Sequence, residues 1–411
     1  MIPSIDKVSV LYHGQTVGVL QMDPTSGAAA FEYDRRWLAG GFSVSPTELP
    51  LKPGLFIADP DKFNGNFAVF EDSLPDGYGL YLLDRMLRKQ GSSVAELTAL
   101  QRLSIIGSSG MGALTYFPEM PGFRAQSEIS DYDMLDRLQQ EALDVFSEKE
   151  TGDESLLYYN SANTGGARPK TAARRPDGTH WIIKFRHVYD AVSIGREELL
   201  YMKTARECGI DVPRIALVKD KYFAIERFDI DPAGNRLHML TAAALLRTDF
   251  RNQGTDYTNL LALTGYLTQD PLQVEEMFRR MVMNLVCINR DDHAKNFSFQ
   301  YKDGAWRLAP AYDITYSPKG TNGEHATSVF YDGNPGLGLV LKAGTEIRIP
   351  ENRCLEIIRS VEETCARSLP VINRLTEGQV QSNSTRKKAK ENYRKFITGK
   401  VSEKKGRKGS R

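Results

Sequence analysis

Apolar and polar residues alternate at the start of the chain. The runs VSVLYH and TVGVLQM are separated by Gly14 and Gln15, and a period of two on either side of a glycine turn predicts a β-hairpin. In LPDGYGLYLLDRMLRKQG the apolar residues recur every three or four positions, which predicts a helix. The next apolar segment, IIGSSGMGALTYFPE, is typical of a strand with turn residues in its middle. The N-terminal part is therefore predicted to be β-rich.

The second half of the chain begins with strand patterns and continues with helical ones. WIIKF (181–185) predicts a strand, REELLYMKTARECG a helix that ends at Gly209, and KYFAIERFDI another strand. Residues 271–289 have strong helical periodicity, WRLAPAYDITYS predicts a strand, and PENRCLEIIRSVEETCARSLPVINRL predicts a late helix pair. Strands followed by helices around one cleft predict a two-lobed α/β (α+β) domain with a mostly helical C-terminal lobe.

At 411 residues the chain is too long for a single ordinary core. We expect an N-terminal β-rich domain over 1–123 and a polar, acidic linker or connecting helix over 124–155. A two-lobed catalytic domain is expected over 156–380. The Lys-rich segment 381–411 is predicted to be a tail without stable structure.

Charge is distributed unevenly along the chain. The formal net charge is +1, but residues 385–411 carry twelve Lys or Arg against two Glu, which leaves the rest of the chain at −9. Such a tail can bind nucleic acid non-specifically or simply be solvated. Its two aromatic residues, Tyr393 and Phe396, are too few for a base-stacking surface.

The cysteines and the hydropathy pattern indicate a cytoplasmic protein. The four cysteines lie far apart without a CxxC pair, which argues against a zinc site or a disulfide framework. The N-terminus has no signal-peptide pattern, and no window approaches the roughly 18 consecutive apolar residues of a membrane span. A membrane partner is therefore not expected.

Candidate chemistry is concentrated in NRDDHAKNFSF, directly after the apolar segment that ends at Ile288. Asp291 and Asn296 are five residues apart, and an Arg precedes the aspartate. In phosphoryl transfer this spacing presents a carboxylate to the acceptor hydroxyl and an amide oxygen to Mg²⁺. A polar helix cap and turn is the alternative.

Two further positions fit the same chemistry. Asp313, in AYDITYS after a predicted strand, has the location of a second Mg²⁺ ligand, although a solvated turn aspartate has the same pattern. Lys184 inside WIIKF needs a partner if it is buried. Glu198 in the next helix is the expected ion-pair partner, Glu197 the competing one, and an exposed, snorkelling lysine the alternative.

Adjacent glycines in TGGARPKTA (164–172) precede WIIKF. Gly165 and Gly166 allow backbone N–H groups to approach phosphate oxygens, with Arg168 and Lys170 alongside. The spacing is not that of a Walker A motif, and an ordinary glycine turn is the alternative.

These motifs, in this order, resemble the HipA toxin kinases of bacterial toxin–antitoxin systems over nearly the whole chain. The N-terminal segments VGVLQMDPTSGAAAFEYDRRWL, SLPDGYGLYLLDRML and IGSSGMGALTYFPE look like that family's amino-terminal domain. GGARPKT, WIIKF, AIERFD, NRDDHAKNFSF and APAYDI look like its nucleotide-binding and catalytic motifs.

The resemblance implies a set of site residues. Asp291 matches the catalytic aspartate, and Asn296 and Asp313 match the Mg²⁺ ligands, with Glu198 supporting Lys184. The residues matched to ATP binding are Gly165, Gly166, Ala167, Arg168, Lys170, Lys184, Glu226, Arg227, Phe228, His293 and Lys295.

The resemblance also implies a function. HipA kinases transfer the ATP γ-phosphate to a Ser or Thr of a protein, an aminoacyl-tRNA synthetase in the best-known members, which causes growth arrest and persistence. A HipB-like helix-turn-helix antitoxin inhibits them, and the pair acts on operator DNA through that antitoxin. The family's autophosphorylated serine is replaced here by Asn163. Either Ser161 or Thr164 substitutes for it, or self-inactivation is absent. A phosphate on either residue would add about two negative charges beside ATP.

Two other readings remain at this point. Small-molecule phosphotransferases share the Asp-to-Asn spacing, but their loop has a histidine before the aspartate, whereas His293 follows Asp291. A kinase-shaped binding module, acting as a corepressor in an antitoxin–DNA complex, is the non-enzymatic reading. The presence of all four residues expected for catalysis argues against it: Lys184, Asp291, Asn296 and Asp313.

Overall fold

The computed structural model describes residues 2–123, 128–149, 154–161, 165–249, 254–377 and 379–382. The basic tail expected over 381–411 lies outside these residues from 383 onward. In chain order, the strands are Lys7–Tyr12, Gln15–Met22, Ala29–Tyr33, Leu55–Ile57, Leu114–Phe117, Lys170–Arg174, His180–Lys184, Ile215–Val218, Tyr222–Glu226, His238–Thr241, Thr255–Asp256, Ser298–Lys302, Ala305–Leu308, Thr327–Ser328, Val371–Arg374 and Gln379–Ser382.

The described α-helices alternate with these strands along most of the chain. They are Arg35–Gly40, Ala68–Glu71, Gly77–Lys89, Ala99–Ile106, Met134–Phe146, Glu154–Asn160, Ile194–Glu207, Ala242–Leu246, Tyr257–Thr268, Pro271–Cys287, Leu337–Glu346 and Glu351–Ser368. Short 3₁₀ turns cover Phe63–Gly65, Val94–Glu96 and Ala294–Asn296. None of the helices in the described ranges is long and apolar enough to cross a membrane.

An antiparallel five-stranded sheet forms the centre of the N-terminal unit, residues 2–123. Its strand order is Leu55–Ile57, Ala29–Tyr33, Gln15–Met22, Lys7–Tyr12 and Leu114–Phe117. The predicted first hairpin is confirmed, and its turn uses positive φ at Gly14, which glycine adopts without strain.

One strand prediction in this unit is wrong. Ile105 and Ile106 end a helix instead, and the strand begins only at Leu114. Thr98 and Gln101 cap each other's backbone N–H groups at the start of that helix, a local pattern that favours helix over strand.

The small lobe contains a second antiparallel sheet with the order Lys170–Arg174, His180–Lys184, Tyr222–Glu226 and Ile215–Val218. Lys170 lies opposite Lys184 in the register of this sheet. Opposed residues of neighbouring strands project from the same face. The sheet therefore presents two lysines side by side toward the cleft.

The large lobe packs its helices around the long helix Pro271–Cys287, and a three-stranded sheet of His238–Thr241, Ser298–Lys302 and Ala305–Leu308 closes one side. The predicted late helix pair is wrong in its second half. Helix Glu351–Ser368 ends before Pro370, which cannot supply a helical N–H, and the chain continues as a strand.

Two hydrophobic cores join these parts across the expected domain boundaries. The first contains the five-stranded sheet of the N-terminal unit together with the large-lobe helices. The second joins helix Gly77–Lys89 of the N-terminal unit to helix Met134–Phe146 and to one face of the small-lobe sheet. The N-terminal unit thus packs against both lobes, and the segment expected as a linker contributes a helix to the second core.

Candidate active site

The NRDDHAKN loop, residues 289–296, starts where a buried helix ends. Helix Pro271–Cys287 is followed by Ile288 at φ 59°. A β-branched residue in this left-handed region is strained, and such strain persists only where surrounding contacts hold it. Asn289 N–H donates to the Asn284 carbonyl at 2.9 Å, and Ser317 N–H donates to the Ile288 carbonyl at 3.1 Å. The strained residue turns the chain out of the core and into the cleft.

The two aspartates of this loop have opposite environments. Asp291 keeps 66% of its side-chain surface exposed and lies 3.8 Å from Nε2 of His293. Desolvation by the cleft walls, and then the negative charge of Asp313, raise the pKa of Asp291, while His293 opposes this. Asp292 is fully buried. Of the pair, Asp291 is the carboxylate that a substrate can reach.

Asp292 anchors the loop to the buried interior of the large lobe. Its carboxylate accepts a hydrogen bond from the Tyr257 hydroxyl at 2.7 Å and lies 3.0 Å from Nδ1 of His325. Asn284 donates to the same Tyr257 oxygen at 3.0 Å. Burial, followed by the charge of Asp292, raises the pKa of Tyr257. Sequence reasoning missed this network because its members come from distant segments.

Lys184 is bound between two carboxylates. Its ammonium group makes ion pairs with Glu198 and Asp313. Burial alone would lower the pKa of Lys184, but the two carboxylates raise it overall. Burial likewise opposes ionisation of Asp313, yet Lys184 and Lys170 lower its pKa to about 2. Glu198, not Glu197, is the buried helix acid that faces the strand lysine.

Asn296 and Asp313 offer the oxygen atoms that Mg²⁺ prefers. The Asn296 amide nitrogen donates to the Asp291 carbonyl at 2.7 Å, which turns its amide oxygen to the other side. Asn289 Nδ2 donates to the Asp313 carbonyl at 3.3 Å and so ties this segment to the loop. Within the described ranges, no group of three or more His, Cys, Asp or Glu side chains is gathered for a metal. An amide and a carboxylate fit a metal that keeps most of its ligands from water and substrate.

The glycine loop, Gly165–Lys170, adjoins this group, since the charges of Lys170 and Arg168 both lower the pKa of Asp313. Gly166 has φ 97°, which favours glycine, and the Lys170 ammonium donates to the Gly165 carbonyl. Burial lowers the pKa of Lys170 to about 8. Arg168 pairs with Asp190 at 3.2 Å. Burial disfavours its charge, but Glu198, Asp190 and Asp313 raise its pKa overall.

The segment expected to meet adenine follows the strand Tyr222–Glu226. Glu226 pairs with Arg214 at 2.5 Å, and Arg227 pairs with the buried Asp229 at 2.7 Å. Phe228 stacks on Tyr312 with 5.5 Å between ring centroids, and its carbonyl accepts from Gln300 at 2.6 Å. The two charged side chains are thus engaged within the protein.

Lys295 pairs across the molecule with Asp76 of the N-terminal unit at 2.6 Å. The same aspartate accepts a hydrogen bond from the Gly166 N–H at 2.5 Å. Sequence reasoning missed Asp76, although its motif SLPDGYG had been singled out as a feature of the N-terminal domain.

Of the two residues expected to be phosphorylated, Ser161 lies in the described part of the chain and Thr164 does not. Ser161 is buried, and its hydroxyl donates to the Tyr158 carbonyl at 2.9 Å. Thr164 and Asn163 lie outside the described residues.

Comparison with known proteins identifies the family. The family model for the HipA-like C-terminal domain matches residues 162–369, and that for the HipA N-terminal domain matches residues 8–117. The chain belongs to the HipA family. A relative named serine/threonine-protein kinase toxin HipA, from Shewanella oneidensis, is 23% identical over 336 residues, which cover 72% of each chain. A Haemophilus influenzae protein that is named as a kinase is 31% identical over 144 residues, which cover 30% of this chain and 42% of that one.

A solved structure has the same fold as this HipA family member. It is HipA from Shewanella oneidensis in a complex with HipB and operator DNA, with a TM-score of 0.66 and 18% sequence identity. The match covers 95% of this chain and 96% of that one. The predicted fold, a β-rich N-terminal domain followed by a two-lobed kinase-like fold, is therefore confirmed.

Proposed function

We propose that this protein is the kinase toxin of a toxin–antitoxin system, and that it transfers the γ-phosphate of ATP to a serine or threonine of a protein. The observation that carries this proposal is the position of Lys184. It pairs with Glu198 and Asp313 in the cleft, and Asp313 lies close enough to the exposed Asp291 to perturb its pKa. A strand lysine paired with a helix glutamate, beside an aspartate placed to hold Mg²⁺, is the arrangement of protein kinases.

The residues divide the reaction between them. Lys184, Lys170 and Arg168 supply cations for the ATP phosphates, and the glycine loop supplies backbone N–H groups. Asp291 accepts the proton of the attacking hydroxyl as its oxygen bonds to the γ-phosphorus. The bond from that phosphorus to the bridging oxygen breaks, and ADP leaves. When Mg²⁺ is bound, Asn296 and Asp313 would hold it, and it would neutralise charge on the phosphate oxygens.

The adenine fits the segment of Glu226, Arg227 and Phe228. Because the side chains of Glu226 and Arg227 are engaged with Arg214 and Asp229, we assign this contact to backbone groups and to apolar surface. His293 is proposed to lie beside the phosphates.

Control by partners and by modification forms a finer part of the proposal. The Shewanella oneidensis HipA was solved with HipB and operator DNA, which supports a HipB-like antitoxin as the partner of this chain. The protein substrate is proposed to be an aminoacyl-tRNA synthetase. Autophosphorylation at Ser161 would require its hydroxyl to leave the Tyr158 carbonyl, whereas Thr164 is the alternative site.

The decisive experiment incubates the purified protein with Mg²⁺ and ATP, with and without aminoacyl-tRNA synthetases, and maps phosphosites by mass spectrometry. Asp291→Asn removes the proton acceptor, so we expect phosphate incorporation to fall by about a hundredfold to ten-thousandfold. Asp220→Asn is the matched control, because Asp220 is an exposed aspartate of the small lobe with no part in the cleft.

The outcomes separate the readings. Equal incorporation in the wild type and Asp291→Asn would remove Asp291 from the chemistry. No incorporation into any protein, with MgATP still bound, would favour the binding-module reading.

A further inference from the structure

Asp76 stands at the start of helix Gly77–Lys89 but does not cap it. It occupies the N-cap position with extended backbone angles, yet its side chain accepts no hydrogen bond from its own helix. An aspartate at this position ordinarily accepts from the N–H of the second or third helical residue. Its side chain is only 7% exposed, so the carboxylate needs partners within the protein.

The Asp76 carboxylate is used elsewhere, on two loops of the cleft at once. One oxygen accepts from the Gly166 N–H at 2.5 Å, and the other lies 2.6 Å from the Lys295 ammonium. The second residue of the helix adds a further hydrogen bond, since Tyr78 N–H donates to the Gly166 carbonyl at 3.1 Å. The peptide groups on both sides of Gly166 are thereby fixed to the N-terminal unit.

Glycine is required where these segments meet. A Cβ on Gly77 would lie 2.6 Å from the Gly166 carbonyl oxygen, and Gly77 itself has φ 44°. A Cβ on Gly166 would lie 2.8 Å from the Lys170 ammonium. The two backbones approach this closely because Gly77 has no side chain, whereas Gly166 is favoured by its φ of 97°.

The clamp is ionic. Burial alone would raise the pKa of Asp76, but Lys295 and the Gly166 N–H lower it below its ordinary value. Burial likewise opposes the charge of Lys295, and Asp76 followed by Asp72 raises its pKa overall. Both groups are therefore charged at neutral pH, as a charge-assisted contact requires.

The N-terminal unit, which carries Asp76, is packed against both lobes. The N-terminal unit shares one core with the large lobe and another with the small-lobe sheet. Asp76 thus joins the glycine loop of the small lobe to the NRDDHAKN loop of the large lobe through a third body that contacts both.

We propose that Asp76 is a positioning residue for nucleotide phosphates, which makes the N-terminal unit part of the active site. Asp76 holds the glycine loop so that the loop's N–H groups and Lys170 face the phosphates. It also holds Lys295 on the opposite side of the same phosphate site. This proposal rests on the kinase function proposed above.

The test compares ligands with and without phosphates. Affinities for MgATP, MgADP and adenosine are measured by calorimetry on the full-length protein and on Asp76→Ala. Because the loop meets only the phosphates, we expect Asp76→Ala to weaken MgATP and MgADP at least tenfold and to change adenosine binding less than twofold. A general structural defect would weaken all three ligands alike.

Asp72→Asn is the matched control. Asp72 belongs to the same segment, is buried, and also crosses to the large lobe, where it accepts from the N–H and hydroxyl of Thr241 at 2.7 Å. Its carboxylate accepts these hydrogen bonds from Thr241, although its charge also acts on Lys295. Asp72→Asn should therefore change nucleotide affinities far less than Asp76→Ala does, and should leave exchange at the Gly166 amide unchanged.

A second readout does not depend on ATP. Hydrogen exchange at the Gly166 amide should accelerate in Asp76→Ala and not in Asp72→Asn. If Asp76→Ala is too unstable for binding work, Asp76→Asn keeps the size and one acceptor oxygen but loses the charge, and a smaller, phosphate-selective loss is expected.

Each outcome decides the matter. Wild-type affinity for MgATP in Asp76→Ala, or unchanged exchange at Gly166, overturns the proposal. If the wild type binds no nucleotide, the kinase function fails, and Asp76 then has no phosphates to position even where exchange shows the clamp.

Discussion

Charged groups in the cleft lie close enough to change one another's proton affinity. Lys170 and Lys184 are opposed in the sheet, and both act on Asp313. The pKa of Lys170 falls to about 8 because burial outweighs its attraction to Asp313. Lys170 is therefore the cation of this group that ordinary changes of pH can discharge.

We predict that nucleotide affinity falls above pH 8. The pKa of Lys170 is lowered to about 8, so the ammonium is present below that pH and is lost as the pH rises through it. A bound phosphate favours the protonated form, so MgATP affinity should drop by at most tenfold per pH unit above 8. The measurement is a binding titration with MgATP between pH 6.5 and 9.5.

Lys170→Arg is the control for this prediction. A guanidinium stays protonated over the whole range, so its affinity profile should be flat where that of the wild type declines. Identical profiles for the two proteins would show that another group titrates.

Single residues were predictable from sequence where they and their partners belong to motifs with a characteristic order and spacing. Lys184 ends a strand, Glu198 lies within the next helix, and Asp313 comes after a later strand. The structure brings the three side chains together. Asp76 and Lys295 are 219 positions apart. Periodicity carries no information on such a pair, because it reports only which face of its own element a residue occupies.

Helix Gly77–Lys89 is the element that joins the N-terminal unit to the small lobe. Its fully buried Leu82 belongs to the same core as Trp181 and Ile183 of the strand His180–Lys184. Since these two residues alternate with the cleft-facing Ile182 and Lys184, the strand has one face in this core and the other toward the site. The core to which the helix belongs therefore supports the strand that carries Lys184.

We predict that Leu82→Ala destabilises the helix and this strand together. Loss of a buried leucine side chain should lower the free energy of unfolding by about 2 to 5 kcal/mol. Hydrogen exchange should accelerate in Gly77–Lys89 and in His180–Lys184 alike, because one core holds both.

Leu20→Ala tests whether that effect is local. Leu20 is equally buried but belongs to the five-stranded sheet and the other core. Its replacement should accelerate exchange more in Lys7–Tyr12 than in His180–Lys184. If the two variants gave the same exchange pattern, the two cores would not be separate units.

Elements were predictable where their pattern was long and regular. The first hairpin and the helices Gly77–Lys89, Ile194–Glu207 and Pro271–Cys287 were predicted from periodicity and end signals. The errors at Ile105 and at Val371–Arg374 concern short apolar runs, which fit helix and strand equally well. Tertiary pairing decides such runs, and for the second it is the strand Gln379–Ser382.

In the molecule as a whole, the N-terminal unit makes polar contacts with the large lobe as well as sharing its core. His238 lies 2.7 Å from the Val44 carbonyl, and Phe42 stacks on Tyr301 at 3.9 Å. Thr47 donates to the Leu245 carbonyl at 2.6 Å. Together with the second core, which reaches the small lobe, these contacts make the two lobes and the N-terminal unit one packed body, which segment-by-segment sequence analysis did not predict.

We predict that residues 124–382 do not fold when expressed alone. Without residues 1–123, the apolar faces of both cores are exposed, and a compact state with loose packing is expected. Near-ultraviolet circular dichroism and dye binding would detect it, and addition of separately made 1–123 should restore the native signal. A cooperative thermal transition of 124–382 alone would contradict this prediction.

The shared second core also has a consequence for synthesis on the ribosome. The second core, to which helix Gly77–Lys89 belongs, is not complete until strand Tyr222–Glu226 has been made. At about 5 to 20 residues per second, that strand follows roughly 7 to 27 s after the helix. Until then the nascent chain carries an open apolar surface that chaperones can bind. Premature termination before residue 222 therefore leaves a fragment whose second core is incomplete.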